Sequence, residues 1–298
     1  MANTREIRRR IKSVKNTQQI TRALQMVSAS KMPKAQAAAR AGREYSNLLN
    51  RVLVSLRERV DQDSHPLLEE RPVKRELIIL ISTNKGLCGA LNTNLFREAS
   101  RLDRDKTDFV SSGRKAAQYI ARTRRALLAE FEVAELPTLA EVRQISRFAL
   151  DKFLSGETDK VTVAYTKFVN TLNQKPTLQT LLPISEEALP GGEQAAEEDK
   201  SKLKGTSADP ENGYGYLFVP NATSVLDAIL PEYVHFQVFQ MILDARASEH
   251  SARMVAMKNA TDNAKGLIKD LTLEYNKVRQ AAITTELLEI TTAQMALG

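Results

Sequence analysis

The stretch whose residue types and spacing most suggest chemistry is Thr83-Asn84-Lys85-Gly86-Leu87-Cys88-Gly89-Ala90-Leu91-Asn92, which follows the apolar run Glu76 to Ser82, ELIILIS. A glycine-containing turn between a strand and a helix offers backbone N–H groups and a helix N-terminus to an anion, the arrangement that holds dinucleotides and phosphates. The spacing departs from both known forms. A dinucleotide fingerprint needs a third glycine three residues after Gly89, where Asn92 stands, and a Walker A loop places its lysine after the last glycine, whereas Lys85 precedes Gly86. The glycines therefore read as servants of a tight turn. Cys88 as a nucleophile needs a neighbouring base, and none of His65, His235 or His250 is placed beside it by sequence. A small buried hydrophobe is the expectation. Glu286 and Glu289 sit three apart on one predicted helix face, as paired acid–base carboxylates do, yet no pocket of this chain is expected around them. Contact with a partner is the better reading.

The elements that must position these residues are unusual in length. From Thr223 to Gly298 the glycines are Gly266 and Gly298 and the one proline is Pro231, so Pro231 to Leu297 reads as a single helix of roughly 100 Å. Its apolar or small residues recur at Val238, Ile242, Ala245, Ala252, Ala260, Ala264, Leu267, Leu271, Val278 and Ala282, a narrow seam for a two-stranded coiled coil. The register slips between Ala252 and Ala260, and the alanines imply close helix contact. At the other terminus, Thr4 to about Arg59 carries a second seam at Ile7, Ile11, Val14, Ile20, Leu24 and Val27, continued by Leu48, Leu49, Val52, Leu53 and Leu56. Its partner is the C-terminal helix. Pairing of the two ends predicts an antiparallel coiled coil closed by a central domain, with a bend at Pro33 because proline lacks the N–H of the helix ladder.

After a linker from His65-Pro66 to Arg71-Pro72, a different fold begins. Strands are predicted at Glu76–Ser82, Asp108–Ser111, Ala126–Val133, Val161–Asn170, Thr177–Leu182 and Tyr214–Val219, with helices at Asn92–Arg101, Gly113–Arg122 and Leu139–Leu154. Alternation of the two predicts an α/β domain with a largely parallel sheet and an edge hairpin. Glu186 to Glu211 holds eight acids and hardly any large apolar residue, the composition of an acidic insert. The expected division is residues 1–60, 73–220 and 223–298.

Composition narrows the classes further. No run of eighteen apolar residues and no apolar signal core follow Met1, so neither a membrane span nor secretion is expected. One cysteine excludes an internal disulfide and a cysteine-based zinc cluster, and three scattered histidines argue against a metal site. The net charge of +7 is concentrated at the N-terminal end, where residues 1 to 60 hold fourteen Lys or Arg against Glu6, Glu44 and Glu58. Such an arm suits nucleic acid, an anionic membrane surface or an acidic protein partner, and equally a solvated helix face.

Four stretches decide among these. REIRRRIKSVKNTQQITRALQMVSASKM (Arg5 to Met32), STNKGLCGALNTNL (Ser82 to Leu95), SEHSARMVAMKNATDNA (Ser248 to Ala264) and YNKVRQAAITTELLEI (Tyr275 to Ile290) together resemble the gamma subunit of F-type ATP synthase. The resemblance implies a long antiparallel coiled coil of the N- and C-terminal helices plus a central Rossmann-like α/β domain. It also implies a rotor shaft without catalytic residues or cofactor. The coiled coil would enter a hexamer of alternating alpha and beta subunits, and the foot would rest with epsilon on the c-ring of Fo, with delta as a further partner. Contacts with beta subunits fall on Arg253, Gln280, Thr284 and Glu286, and the coupling-sensitive N-terminal stretch on Leu24, Gln25, Met26 and Lys31. Leu24 stands where the family often has methionine, a swap that keeps volume and apolarity. The implied location is peripheral, on the cytoplasmic side of the cell inner (plasma) membrane, with the membrane met through partners and no role for nucleic acid. Pro33, Pro231 and Ala293-Gln294 depart from the family pattern, and the Glu186 to Glu211 insert lacks the dithiol of photosynthetic relatives.

Overall fold

The computed structural model describes residues 4–57, 65–184 and 221–297. In chain order the elements are α1 (Thr4–Arg57), β1 (Glu76–Ile81), α2 (Leu91–Ser100), β2 (Thr107–Ser112), α3 (Arg114–Arg122), β3 (Ala126–Phe131), α4 (Leu139–Leu154), β4 (Lys160–Phe168), β5 (Gln174–Leu182) and α5 (Ala222–Leu297). The predicted strand Tyr214–Val219 and the acidic insert lie outside the described residues. Two compact units result: a central one from Lys31 to Ala252, and a terminal one joining Met1–Ser30 to Arg253–Gly298.

The central unit is built on a five-stranded sheet in the order β3-β2-β1-β4-β5. β1 pairs in parallel with β2 and β4, β2 with β3, and β5 returns antiparallel beside β4 as the expected edge hairpin. An unbroken apolar run suits β1, since a central parallel strand is covered on both faces. Alternate residues then divide between two cores: Leu77, Ile79 and Ile81 face Val142, Ile145 and Phe153 of α4 and Val234, Val238 and Ile242 of α5. Ile78 and Leu80 face Leu95 of α2 and Ile120 of α3. α4 starts where the sequence says it should, with a capping box in which the Thr138 hydroxyl accepts from the Glu141 N–H and the Glu141 carboxylate from the Thr138 N–H.

α1 is helical across Pro33, and α5 is helical across Pro231, as the single-helix reading of the C-terminal stretch has it. Ala35 and Ala39 just beyond Pro33 are buried. The segment read as a linker is irregular and largely exposed, and it is anchored to the core at Leu67, which is buried and whose carbonyl accepts from the Ile184 N–H. Gly42 is a site of close approach, where a Cβ would lie 2.0 Å from Gln240 Oε1. There α1 and α5 run antiparallel: the Ala39 carbonyl accepts from Gln240, Gln237 donates to Ser46, and the Tyr45 and Phe236 rings lie 4.5 Å apart.

In the terminal unit the register of the seam is corrected in part. Sheltered positions on α1 include Ile7, Ile11, Val14, Gln18, Thr21, Gln25 and Ser28, in alternating steps of four and three, with the expected Leu24 half-buried beside them. On α5 they include Met257, Thr261, Ala264, Ile268, Leu271, Tyr275 and Val278, and the expected Ala260 is half-buried as well. Ile20, Val27 and Leu267, expected inside, are 60%, 50% and 48% exposed. Small hydroxyl residues replace them because their polarity is satisfied at home: Thr21 donates to Gln18 O and Ser28 to Leu24 O, while Thr21 and Thr261 meet at 2.8 Å across the pair.

Candidate functional site

Strand order reverses between β1 and β4, and the crevice beyond the carboxyl ends of such strands is where doubly wound sheets bind nucleotides. Here the chain fills it. Leu87 and Gly89 adopt positive φ (63° and 61°), making the tight turn that the glycines suggested. The Thr83 N–H donates to Asn92 Oδ1 at 3.4 Å, and Asn92 Nδ2 donates to Thr83 Oγ1 at 2.7 Å and to Cys88 Sγ at 3.4 Å. Asn92 thus occupies, with its side chain, the place a third glycine would leave for phosphate. Cys88 is buried as expected.

The N-terminus of α3 is plugged in the same way. Ser82 Oγ accepts from the Ala116 N–H at 2.7 Å, Asn84 Oδ1 from the Arg114 N–H at 3.2 Å, and Thr83 O from the Lys115 N–H at 3.2 Å. Gly113, with φ of 104°, allows this approach, since a Cβ there would lie 2.4 Å from Ser82 O.

α5 closes the crevice from above. Ser248 donates to Thr166 O at 3.0 Å at the end of β4, and Arg246 donates to Val133 O beyond β3 and to Glu249, each at 2.9 Å. The cavity left among Ile81, Thr83, Asn92, Thr166, Arg246 and Glu249 is about 10 Å³, room for a single water. Saturating ATP or NAD is therefore expected to leave the melting temperature unchanged in a thermal-shift titration. A ligand at a hundredfold excess over its Kd would add about 2.7 kcal/mol, which such a scan resolves easily.

Charges cluster where α5 passes the strand ends. Lys31 Nζ bonds both Glu135 oxygens, at 2.7 and 2.6 Å, and this hydrogen bond above all holds the Glu135 carboxyl below its usual range. His250 Nε2 lies 3.6 Å from the same carboxylate. Burial pushes the Asp244 carboxyl up, while Arg43, 3.1 Å away, opposes the rise. A carboxyl whose folded pKa exceeds its unfolded one favours folding most when protonated, and that stability is lost as pH rises through the folded value. Asp244→Asn keeps an acceptor for Arg43 and removes the buried charge. Near pH 8 it is expected to be at least as stable as the parent, by up to about 1 kcal/mol, with the difference fading below about pH 4 in urea titrations.

The residues singled out in sequence are not gathered into one place. Gln280, Thr284 and Glu286 are exposed on the last turns of α5, where the Thr284 hydroxyl donates to Gln280 O at 2.9 Å. Arg253 is half-buried, as are Leu24 and Gln25, and Met26 is exposed. Lys31 is exposed and paired with Glu135. Sequence reasoning missed Asp244, Arg246 and Glu249; the available signal was charge inside a helical run, Tyr233 to Ser251, that is sheltered on every side. Among the described residues no cluster of three His, Cys, Asp or Glu could hold a metal, and no helix is long and apolar enough to cross a membrane.

The α/β domain thus has its strand-end crevice closed by the C-terminal helix of the same chain, and the two terminal helices pair with each other. The family model described as ATP synthase matches residues 3–297, and the chain belongs to the ATP synthase gamma chain family. It is 51% identical to the gamma chain of Opitutus terrae over 298 residues, covering 99% of each. With the gamma chain of Methylacidiphilum infernorum it shares 47% over the full length of both. Among solved structures it resembles a chain of the Euglena gracilis mitochondrial ATP synthase (OSCP/F1/c-ring, rotational state 3), with a TM-score of 0.70, 24% identity, and coverage of 99% of this chain and 94% of that one. That likeness bears on the fold.

Proposed function

We propose that this chain is the central rotor shaft of an ATP synthase, coupling ion-driven rotation of a membrane c-ring to sequential conformational change at catalytic sites on beta subunits. One observation supports it most. Past Val278 the helical seam ends, and from Arg279 to Met295 every side chain of α5 is exposed, Ile283, Leu287, Leu288 and Ile290 among them. A helix end this apolar calls for a sheath from other chains. The alpha and beta subunits of F1 supply it in this reading, and Gln280, Thr284 and Glu286, with Arg253, are the polar catches on the rod. Leu24, Gln25, Met26 and Lys31 are the coupling-sensitive positions of the N-terminal helix.

The mechanism follows from symmetry. Identical beta sites differ in nucleotide affinity only if something asymmetric touches each of them differently, and an off-axis helix pair does so in turn as it rotates. The chain holds no catalytic group and no cofactor in this role; its filled crevice makes the α/β domain a rigid foot. Functionally the chain divides into helices 1–60 and 223–298 and the foot 73–220, the latter meeting epsilon and the c-ring, with delta elsewhere in the complex. It is a peripheral protein on the cytoplasmic side of the inner membrane, held there by its partners and not by lipid or nucleic acid.

The test is purification of the tagged chain from its native membranes. One copy with three alpha and three beta subunits is expected, and replacement of Gln280, Thr284 and Glu286 by alanine should lower ATP-driven ion pumping more than ATP hydrolysis. Recovery of the chain alone, or with nucleic acid, would overturn the reading.

A further inference from the structure

The loop that joins β3 to α4 is short and pinned at both ends. Val133 is buried and its carbonyl accepts from Arg246, while Thr138 opens α4 with its capping box. Between these points stands Glu135, whose side chain is approached from three elements. Lys31 of α1 donates to both of its oxygens, His250 of α5 lies 3.6 Å from one of them, and Lys85 in the turn after β1 adds its field. A single carboxylate on the sheet's own loop thus meets both long helices. The central unit takes in α1 from Lys31 onward and α5 up to Ala252, so Glu135 grips each helix within a turn of the point where it leaves that unit.

On α5, Arg246 and His250 lie on one face about 6 Å apart along the axis, and both engage this loop. Two contacts a turn apart fix the azimuth of a helix as one contact does not. On α1 the two-oxygen contact of Lys31 supplies the grip, and about 18 Å further along the helix Arg43 donates to Phe168 O and Asp244. An exposed pair such as Lys31 and Glu135 adds little to stability, so what its geometry fixes is where α1 stands against the sheet. We infer that Glu135 is a positioning residue of the rotor, a clasp that holds both long helices to the α/β domain where they leave it. Lys31 then acts on coupling through Glu135 and not through a carboxylate of a neighbouring subunit. The inference rests on the rotor reading above. A foot that turns passes its rotation to a helix through groups rigidly joined to the sheet, and this loop is so joined by Val133 on one side and by α4 on the other. With the clasp open, part of each step goes into displacing α1 against the loop.

A double-mutant cycle tests it. Lys31→Ala, Glu135→Ala and the double variant are compared with the parent in the purified complex, by ion pumping per ATP hydrolysed in vesicles. Each single variant is expected to lower that ratio by a factor of about two to five, and the double variant to lower it no further than the worse of the two. Melting of the free subunit should shift by less than about 4 °C in each, which separates loss of position from loss of fold. Hydrogen exchange of the free subunit gives a second readout that needs no complex. Amides of residues 133–136 are expected to exchange about two- to fivefold faster in all three variants alike. Multiplied losses in the double variant would show that Lys31 works on another chain, and would overturn the inference while leaving the rotor reading standing. An unchanged pumping ratio in Glu135→Ala, unchanged exchange at residues 133–136, or a larger melting shift would sink it as well. Absence of alpha and beta subunits from the parent preparation would instead count against the rotor reading itself.

Discussion

Arg246→Met is expected to lower the melting temperature of the subunit by roughly 6–20 °C, the largest effect of any single substitution away from the hydrophobic core. The guanidinium is 8% exposed, and its two hydrogen bonds tie α5 to the end of β3 through Val133 O and to Glu249, itself 9% exposed. Removing one member of a buried ion pair takes a hydrogen-bonded counter-ion from the other charge, at a cost of about 3–5 kcal/mol. For a domain of this size each kcal/mol moves the midpoint by about 2–4 °C. The exposed pair between Lys31 and Glu135 has similarly short contacts, but its side chains are 45% and 51% exposed, and Lys31→Ala should cost less than about 1 kcal/mol. Differential scanning calorimetry of both variants decides the matter. A shift below about 2 °C for Arg246→Met would mean that water enters the 10 Å³ cavity and solvates Glu249, so the crevice is looser than its contacts suggest.

This contrast explains which features were legible in the sequence. The sheet was, because β1 is an apolar run and the strands alternate with helical patterns between turn residues, and α4 because Thr138 and Glu141 spell a capping box. The turn at Gly86 and Gly89 was recognised, and so was its failure to match a phosphate loop at Asn92. What was hidden is the reason the failure is complete: Asn92 bonds Thr83, and Ser82, Asn84 and α5 plug the rest from far along the chain. Long-range pairing of that kind leaves no local pattern. The helical seam was misread for a related cause. Apolarity pointed to Ile20 and Val27, but the structure buries Thr21 and Ser28, whose hydroxyls bond their own helix and so enter the seam cheaply. Apolar residues displaced outward in this way look like core on sequence alone.

Deleting residues 280–298 is expected to leave the melting temperature within about a degree of the parent and to reduce ATP synthesis by roughly tenfold or more. The two halves of this expectation come from the same fact. Among the described side chains Val278 is the last sheltered one of α5, and from Arg279 to Met295 all are exposed, Leu287, Leu288 and Ile290 at 59%, 59% and 57%, so the described part of the deleted turns buries nothing against this chain. Their hydroxyls, at Thr284, Thr285, Thr291 and Thr292, bond carbonyls of the same helix and hold no other segment. Loss of the end therefore costs the fold only helix length, whereas it removes Gln280, Thr284 and Glu286 together with the apolar surface that the alpha and beta subunits are proposed to sheath. Calorimetry of the subunit and ATP synthesis by energised inverted membrane vesicles give the two readouts on one variant. A drop of several degrees would show that the end packs on its own chain, and undiminished synthesis in a fully assembled complex would show that torque is passed through the terminal unit below Arg279. The triple alanine variant at Gln280, Thr284 and Glu286 should fall between parent and deletion, because it keeps the apolar face while losing the catches, and its position on that scale divides the contact energy between the two.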